Sequence, residues 1–178
     1  MMLHPNLVVT GRVEGKSVFV DEQPLEPAQI PAFPGLEIFL AWGTADGGAS
    51  NAEAEPKAVL APYFPGAGGT RLLLVTWPPA TADEPTDPQP ATPWAEEILA
   101  GLAAAVEKDH PGMHTSATLD YGVVLSGEMW LELDDGAERR LPAGTCVVQR
   151  GTRHRWSNRG TEPATMAFVL IGAAEDAQ

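Results

Sequence analysis

Two histidines and an aspartate stand where β-strand geometry can bring them to one surface. Alternate residues from His114 run His114, Ser116, Thr118, Asp120 and Gly122, and a strand that alternates faces puts all five on one side. A second segment carries His154, Trp156 and Asn158 with the same parity. Two imidazoles and one carboxylate inside one β-structure are able to hold a divalent metal with coordination positions left open. Without metal, a histidine and aspartate can instead serve as general base and orienter for a proton transfer. Convergence is an expectation at this point, because parity within a strand leaves open which strands face each other. Asp120 lies in an otherwise apolar strand and needs a partner, since an isolated buried carboxylate is costly. Arginine, histidine or metal would each serve.

The elements that must position these residues are short strands separated by strong turn signals. Leu125-Ser126-Gly127-Glu128 breaks one apolar run, and Asp134-Asp135-Gly136 separates Met129–Leu133 from Ala137 onward, as a hairpin connection would. Trp130, Glu132 and Asp134 alternate with Met129, Leu131 and Leu133, so one face belongs to a core and the other to water. Leu141-Pro142-Ala143-Gly144 turns into Thr145–Val148. Gln149 to Arg153 forms a further turn that delivers His154, and Ala164–Ile171 is apolar enough for a buried strand. About six short antiparallel strands at close spacing favour a sandwich or small barrel.

These residues resemble a known family. His114, one residue, Ser116, three residues, Asp120, six residues and Gly127 follow the first motif of the cupins, where two histidines, an acidic residue and a glycine occupy those spacings. The second cupin motif resembles Gly144, then Gln149-Arg150-Gly151, His154 and Asn158. The resemblance spans roughly residues 110 to 172. It implies an all-β fold, the RmlC-like double-stranded β-helix or jelly-roll barrel, with an N-terminal strand extension and one short helix before the first motif. Three positions depart from the pattern: Ser116 replaces the second histidine, Asp120 is shorter than the family's glutamate, and Gln149 stands for a proline. The three-histidine, one-glutamate metal shell is therefore incomplete. By resemblance His114, Asp120 and His154 are the expected metal ligands and catalytic residues, holding Fe(II), Mn(II), Zn(II) or Ni(II). Ser116, Gln149, Arg150 and Trp156 are the expected substrate-binding residues.

The chain has 178 residues, enough for one domain with a sizeable core. Residues 1–77 should supply strands and loops that complete the barrel or a dimer interface, 78–109 a proline-rich loop and helix, and 110–172 the cupin core. Net charge is −13, from 24 acidic and 11 basic residues, which argues against nucleic acid or an anionic membrane as partner. A small-molecule substrate and a homodimer are the expected partners. The single cysteine, Cys146, excludes an internal disulfide framework and, in its apolar run, reads as a buried, inert thiol. No signal pattern opens the chain and no apolar run approaches a membrane span, so a cytoplasmic location is expected.

In the first half, Leu7–Thr10 and Ser17–Val20 suggest two strands around a turn. Four prolines from Pro24 to Pro34 preclude regular structure until a strand at Leu36–Trp42, and Thr70–Trp77 is the strongest strand of this half. Asp46–Lys57 and Pro78–Pro93 suggest surface loops. A helix should follow, capped by Thr92, opened by Pro93, favoured by Glu96 and Glu97 in its first turn, and ending near Lys108. Trp94, Ile98, Leu102 and Ala105 or Val106 form its apolar stripe, which closes one side of the barrel or lies over its mouth as a lid. His4 and His110 read as surface residues. Trp130, Trp156 and Tyr121 fit a core more often than a substrate platform. The arginines at 150, 153, 155 and 159 either balance nearby acids or, through Arg150 or Arg153, draw an anionic substrate to the mouth. Ser116 lacks a nucleophile-elbow context, which argues against serine-hydrolase chemistry. Three functions remain open: metal-dependent oxygenase, decarboxylase or lyase chemistry; metal-free epimerase-like acid-base catalysis; and ligand binding without catalysis.

Overall fold

The computed structural model describes residues 4–28, 34–48, 57–80 and 93–174. The expected cap at Thr92, and most of the two expected surface loops, lie outside the described residues. Among the described residues ten strands and one α-helix follow in chain order, with a 3-10 turn at Asp134–Gly136: β1 (Asn6–Val13), β2 (Lys16–Pro24), β3 (Glu37–Thr44), β4 (Thr70–Trp77), α1 (Pro93–Ala105), β5 (Thr118–Ser126), β6 (Glu128–Glu132), β7 (Glu138–Pro142), β8 (Cys146–Arg150), β9 (Arg155–Ser157) and β10 (Ala164–Gly172). A five-stranded sheet has the order β3-β4-β10-β5-β8 and a three-stranded sheet the order β7-β6-β9, while β1 and β2 form a hairpin of their own. All pairings are antiparallel. The two larger sheets make the jelly-roll barrel.

Strand parity builds the core. Thr118, Asp120, Gly122 and Val124 of β5 are buried, as are Met166, Phe168 and Leu170 of β10 and Leu73 and Val75 of β4. Met129 and Leu131 of β6 meet them in one apolar cluster. Each large apolar side chain buried this way contributes roughly 1.5–3 kcal/mol. The chain crosses from β5 to β6 at Gly127, whose φ is +68°. A Cβ there would lie 2.7 Å from the Pro163 carbonyl oxygen, so glycine is required on both counts. Between β6 and β7, Asp135 and Gly136 both adopt positive φ (57° and 69°), the backbone of a primed hairpin turn.

Several expectations are corrected. β2 continues through Pro24, where irregular chain was expected. Gln149 and Arg150 are the last residues of β8, so the turn begins only at Gly151. The helix stops at Ala105, short of Lys108, because Val106 leaves it to pair with His114. Its described buried stripe is Ala95, Ile98, Leu99 and Leu102. Cys146 is exposed, not buried. An apolar run does not reveal which face points inward, and β8 turns Val147 and Gln149 toward the interior with Cys146 and Val148 outside. Tyr121 is likewise exposed, on the outer side of β5. His4 and His110 are exposed, as expected.

Candidate functional site

His114 and His154 are brought together by backbone pairing. Each donates its main-chain N–H to the other's carbonyl at 2.9 Å, and residues directly opposed in an antiparallel pair carry their side chains on the same face. Their ring centroids lie 4.2 Å apart. Each Nδ1 meets a main-chain carbonyl, that of Gly112 at 3.0 Å for His114 and of Thr152 at 2.8 Å for His154. A carbonyl can only accept, so Nδ1 carries the hydrogen and Nε2 of each neutral ring keeps a lone pair. Burial holds both rings in the neutral form. It lowers the His114 pKa and takes that of His154 down to about 4, where the His114 charge adds to the effect.

Asp120 sits mid-sheet, between Leu170 of β10 and Gln149 of β8. It is 6% exposed and its Oδ1 has no hydrogen-bond partner among the described residues. Burial pushes the carboxyl up to about 6, and a hydrogen bond from Thr118 opposes the rise. Thr118 has a single hydroxyl proton and Ser116 Oγ, 2.9 Å away, competes with Asp120 for it. Tyr63, from the chain between β3 and β4, is buried near enough to feel the Asp120 charge. Desolvation first, and that charge second, keep its phenol un-ionised. The segment before Tyr63 is anchored by the buried Arg71 guanidinium, which donates to the carbonyls of Pro62 (2.9 Å), Thr44 (3.0 Å) and Thr70 (2.6 Å).

His114, His154, Asp120 and Tyr63 all line one cavity of about 730 Å³, its open mouth included. Its remaining wall is apolar: Leu36, Ile38, Val75 and Trp77 come from the first half, Leu102 and Val106 from α1 and its end, and Trp156, Phe168 and Leu170 from the second half.

Residues 104–171, which carry both histidines and Asp120, match the family Cupin_2, described as "Cupin domain". This part of the chain is similar to the cupin domain. Among curated relatives, "Phomopsin biosynthesis cluster protein C'" of Diaporthe leptostromiformis is 41% identical over 88 residues, 47% of this chain and 47% of that protein. "Cupin-domain-containing oxidoreductase fogC" of Aspergillus ruber is 45% identical over 62 residues, 33% of this chain and 30% of that protein. The chain thus spans less than half the length of these relatives. A solved "Cupin 2 conserved barrel domain protein" from Salinispora arenicola aligns over 81% of this chain and 82% of its own, with 16% identity and a TM-score of 0.40.

The other residues nominated from sequence fall around the cupin cavity unevenly. Trp156 lines it, edge-on to His154 at 5.8 Å between centroids. Ser116 is buried as the acceptor for Thr118 and is not part of the lining. Gln149 spends its amide on the carbonyl of Thr152 (3.1 Å) and on the Thr152 hydroxyl, bracing the turn that delivers His154. Arg150 is exposed on the outer face of β8. Arg153 makes a two-pronged pair with Glu107 (2.6 and 2.7 Å) and reaches Asp134 at 2.9 Å. Arg155 pairs with Glu132 and Arg159 with Glu138, the latter guanidinium lying 4.5 Å over the Trp130 ring. Tyr63 and Trp77 line the site without having been expected there from sequence, and Leu102, on the helix stripe expected against the barrel or over its mouth, lines it too. Trp77 had a usable signal, since it shares parity with the buried Leu73 and Val75. Tyr63 follows a turn-rich stretch and had none.

Two imidazoles whose Nε2 atoms carry no hydrogen therefore line the cavity, with no hydrogen-bond partner at Nε2 among the described residues. The third nominated donor does not join them: among the described residues, no three histidine, cysteine, aspartate or glutamate side chains are grouped closely enough to hold a metal. The residues present do not make the three-donor shell that the resemblance implied. Also among the described residues, no helix is long and apolar enough to cross a membrane.

Proposed function

We propose that the cupin cavity binds a small organic molecule and moves a proton on it, with His114 as base, His154 as its partner and Asp120 as acid. The observation that carries this reading is the pair of neutral imidazoles, tied at Nδ1 and free at Nε2, in the same apolar cavity as a carboxyl that titrates near neutrality. A catalytic acid or base works best when its pKa lies near the working pH. His154 is held too low for that, and the two rings repel each other's charge, so the pair takes up one proton and His114 is the ring that takes it.

Nε2 of His114 accepts a proton from an acidic C–H of the molecule. The electron pair left behind moves through the adjacent carbon to a carbonyl oxygen, and the Asp120 carboxyl delivers its proton there, giving an enol. Imidazolium and carboxylate then offset each other's charge in a site of low dielectric. Return of the histidine proton to the same carbon, and of the enol proton to Asp120, regenerates the molecule and is read as hydrogen exchange; where the molecule carries a β,γ double bond the enol is a dienol, and return of the proton to its γ-carbon completes an isomerisation with every proton accounted for. The relatives' names, a biosynthesis-cluster protein and an oxidoreductase, support enzyme chemistry on a small molecule.

The test is hydrogen-deuterium exchange of the α-hydrogens of 2-tetralone in D2O, followed by proton NMR. The chain should accelerate exchange over buffer, EDTA should leave the rate unchanged, and His114→Gln or Asp120→Asn should each slow it about a hundredfold. Exchange no faster than in buffer, or loss of the acceleration in EDTA, refutes the reading.

A further inference from the structure

We infer that the cavity selects an uncharged aromatic molecule carrying a hydroxyl group and rejects anions. This rests on the proposal above only in taking the cavity as the binding place. Aromatic rings run along its wall in edge contact: Trp77 to Phe168 at 6.2 Å, Phe168 to Trp156 at 5.7 Å, and Trp156 to His154 at 5.8 Å. Such a wall presents ring edges and faces that complement another ring, with energy beyond plain area burial.

The polar groups set the ligand's other end. Each imidazole has its hydrogen committed to a main-chain carbonyl, so Nε2 of His114 and of His154 can only accept. A ligand must therefore bring a hydrogen-bond donor to that corner, and leaving a buried acceptor unpaired is costly. A carboxylate brings acceptors only. It would face two lone pairs and the Asp120 carboxyl with only uncharged donors such as the Tyr63 phenol on the wall, and among the described residues no lysine or arginine lines the cavity to offset its desolvation. The arginines nearest in sequence to His154 are engaged elsewhere: Arg153 with Glu107 and Asp134, Arg155 with Glu132, and Arg159 with Glu138. The net charge of −13 adds long-range repulsion of the same sign. A hydroxyl on an uncharged ring meets every one of these conditions.

Three probes on one frame separate the requirements: 2-naphthol, 2-methoxynaphthalene, which lacks the donor, and 2-naphthoate, which is charged. Titration calorimetry on the full chain at pH 7.5 should show 2-naphthol binding about tenfold tighter than either of the others. Trp156→Ala should weaken 2-naphthol and 2-methoxynaphthalene alike, whereas His114→Leu should narrow the gap between them. Equal binding of 2-naphthol and 2-methoxynaphthalene, binding of 2-naphthoate as tight as 2-naphthol, or no binding of any probe overturns the inference. The ranking is read without turnover, so failure of the tetralone exchange leaves it intact, and a wrong ranking leaves the proton-transfer reading to its own test.

Discussion

Asp120→Asn should make the protein more stable at alkaline pH relative to wild type than at acid pH, by an amount that follows from the burial of one carboxyl. In the unfolded chain Asp120 ionises at its ordinary 3.8, while in the folded protein it keeps its proton until about 6. Between those values the folded state holds more protons than the unfolded state, so stability falls as pH rises through the window and levels off above it. Holding the proton from 3.8 up to about 6 corresponds to about 3 kcal/mol of stability lost by pH 8. Asparagine has nearly the same shape and no charge, so the variant escapes that loss. It leaves an unpaired amide group, but that cost is the same at every pH. The quantity to measure is therefore the stability difference between variant and wild type, by urea denaturation, at pH 3 and at pH 8. It should shift in the variant's favour by about 3 kcal/mol between the two pH values, or roughly 6–12 °C in Tm for a domain of this size. A difference independent of pH would refute the reasoning, because it would mean that Asp120 finds a partner for its charge in the folded protein.

The rate of the tetralone exchange should fall as pH rises above about 6, as Asp120 loses the proton it must donate, and fall again at acid pH as the imidazoles fill; a flat profile over pH 5–8 counts against these groups. Elemental analysis of untagged protein should find well under one divalent metal per chain, since only two donors are grouped; near one per chain, lost in the His114→Ala, His154→Ala double variant, would show that Asp120 or another donor closes in. Gly127→Ala forces a side chain into positive φ and against Pro163 and Ala164, and should cost about 1–3 kcal/mol in thermal or urea denaturation. An unchanged midpoint would mean that the β5–β6 crossing adjusts freely.

The barrel was legible where strand periodicity and turn chemistry agreed. Thr118, Asp120, Gly122 and Val124 alternate through β5, and Asp135-Gly136 supplies the positive φ angles of the β6–β7 hairpin, so both could be placed from sequence. The histidine pair was legible only in part: the alternation expected from His114 to Gly122 is strand only from Thr118 onward, and His114 and His154 meet through a single backbone bridge outside the named strands, which no periodicity encodes. Cys146 went the wrong way because an apolar run on the edge strand β8 looks the same whichever face it turns inward, whereas the outward face of Tyr121 was already implied by the parity that buries Asp120 and Gly122 beside it in β5. Tyr63 reaches the cavity from a loop far away in sequence, so its role exists only once the chain has folded, whereas Leu102 belongs to the helix stripe already expected against the barrel or its mouth. The arginines after β8 were ambiguous for a related reason. Their partners Glu107, Glu132 and Glu138 lie 46, 23 and 21 residues away.

The bridge between the histidines has a mechanical side. Val106 pairs with His114 and His114 with His154, so one-residue bridges stitch the end of α1 to both histidines as a narrow ribbon, and the Arg153–Glu107 pair clamps the same place from outside. Leu102 and Val106 are also cavity wall. An outward swing of α1 to admit a bulkier guest would therefore pull on the two histidine rings. On the binding proposed above, size exclusion and ring alignment would be coupled: an oversized molecule would spoil its own reception, and a chain engineered for a wider entrance would need new stitching between residues 106 and 114 before its histidines could stand where they do now.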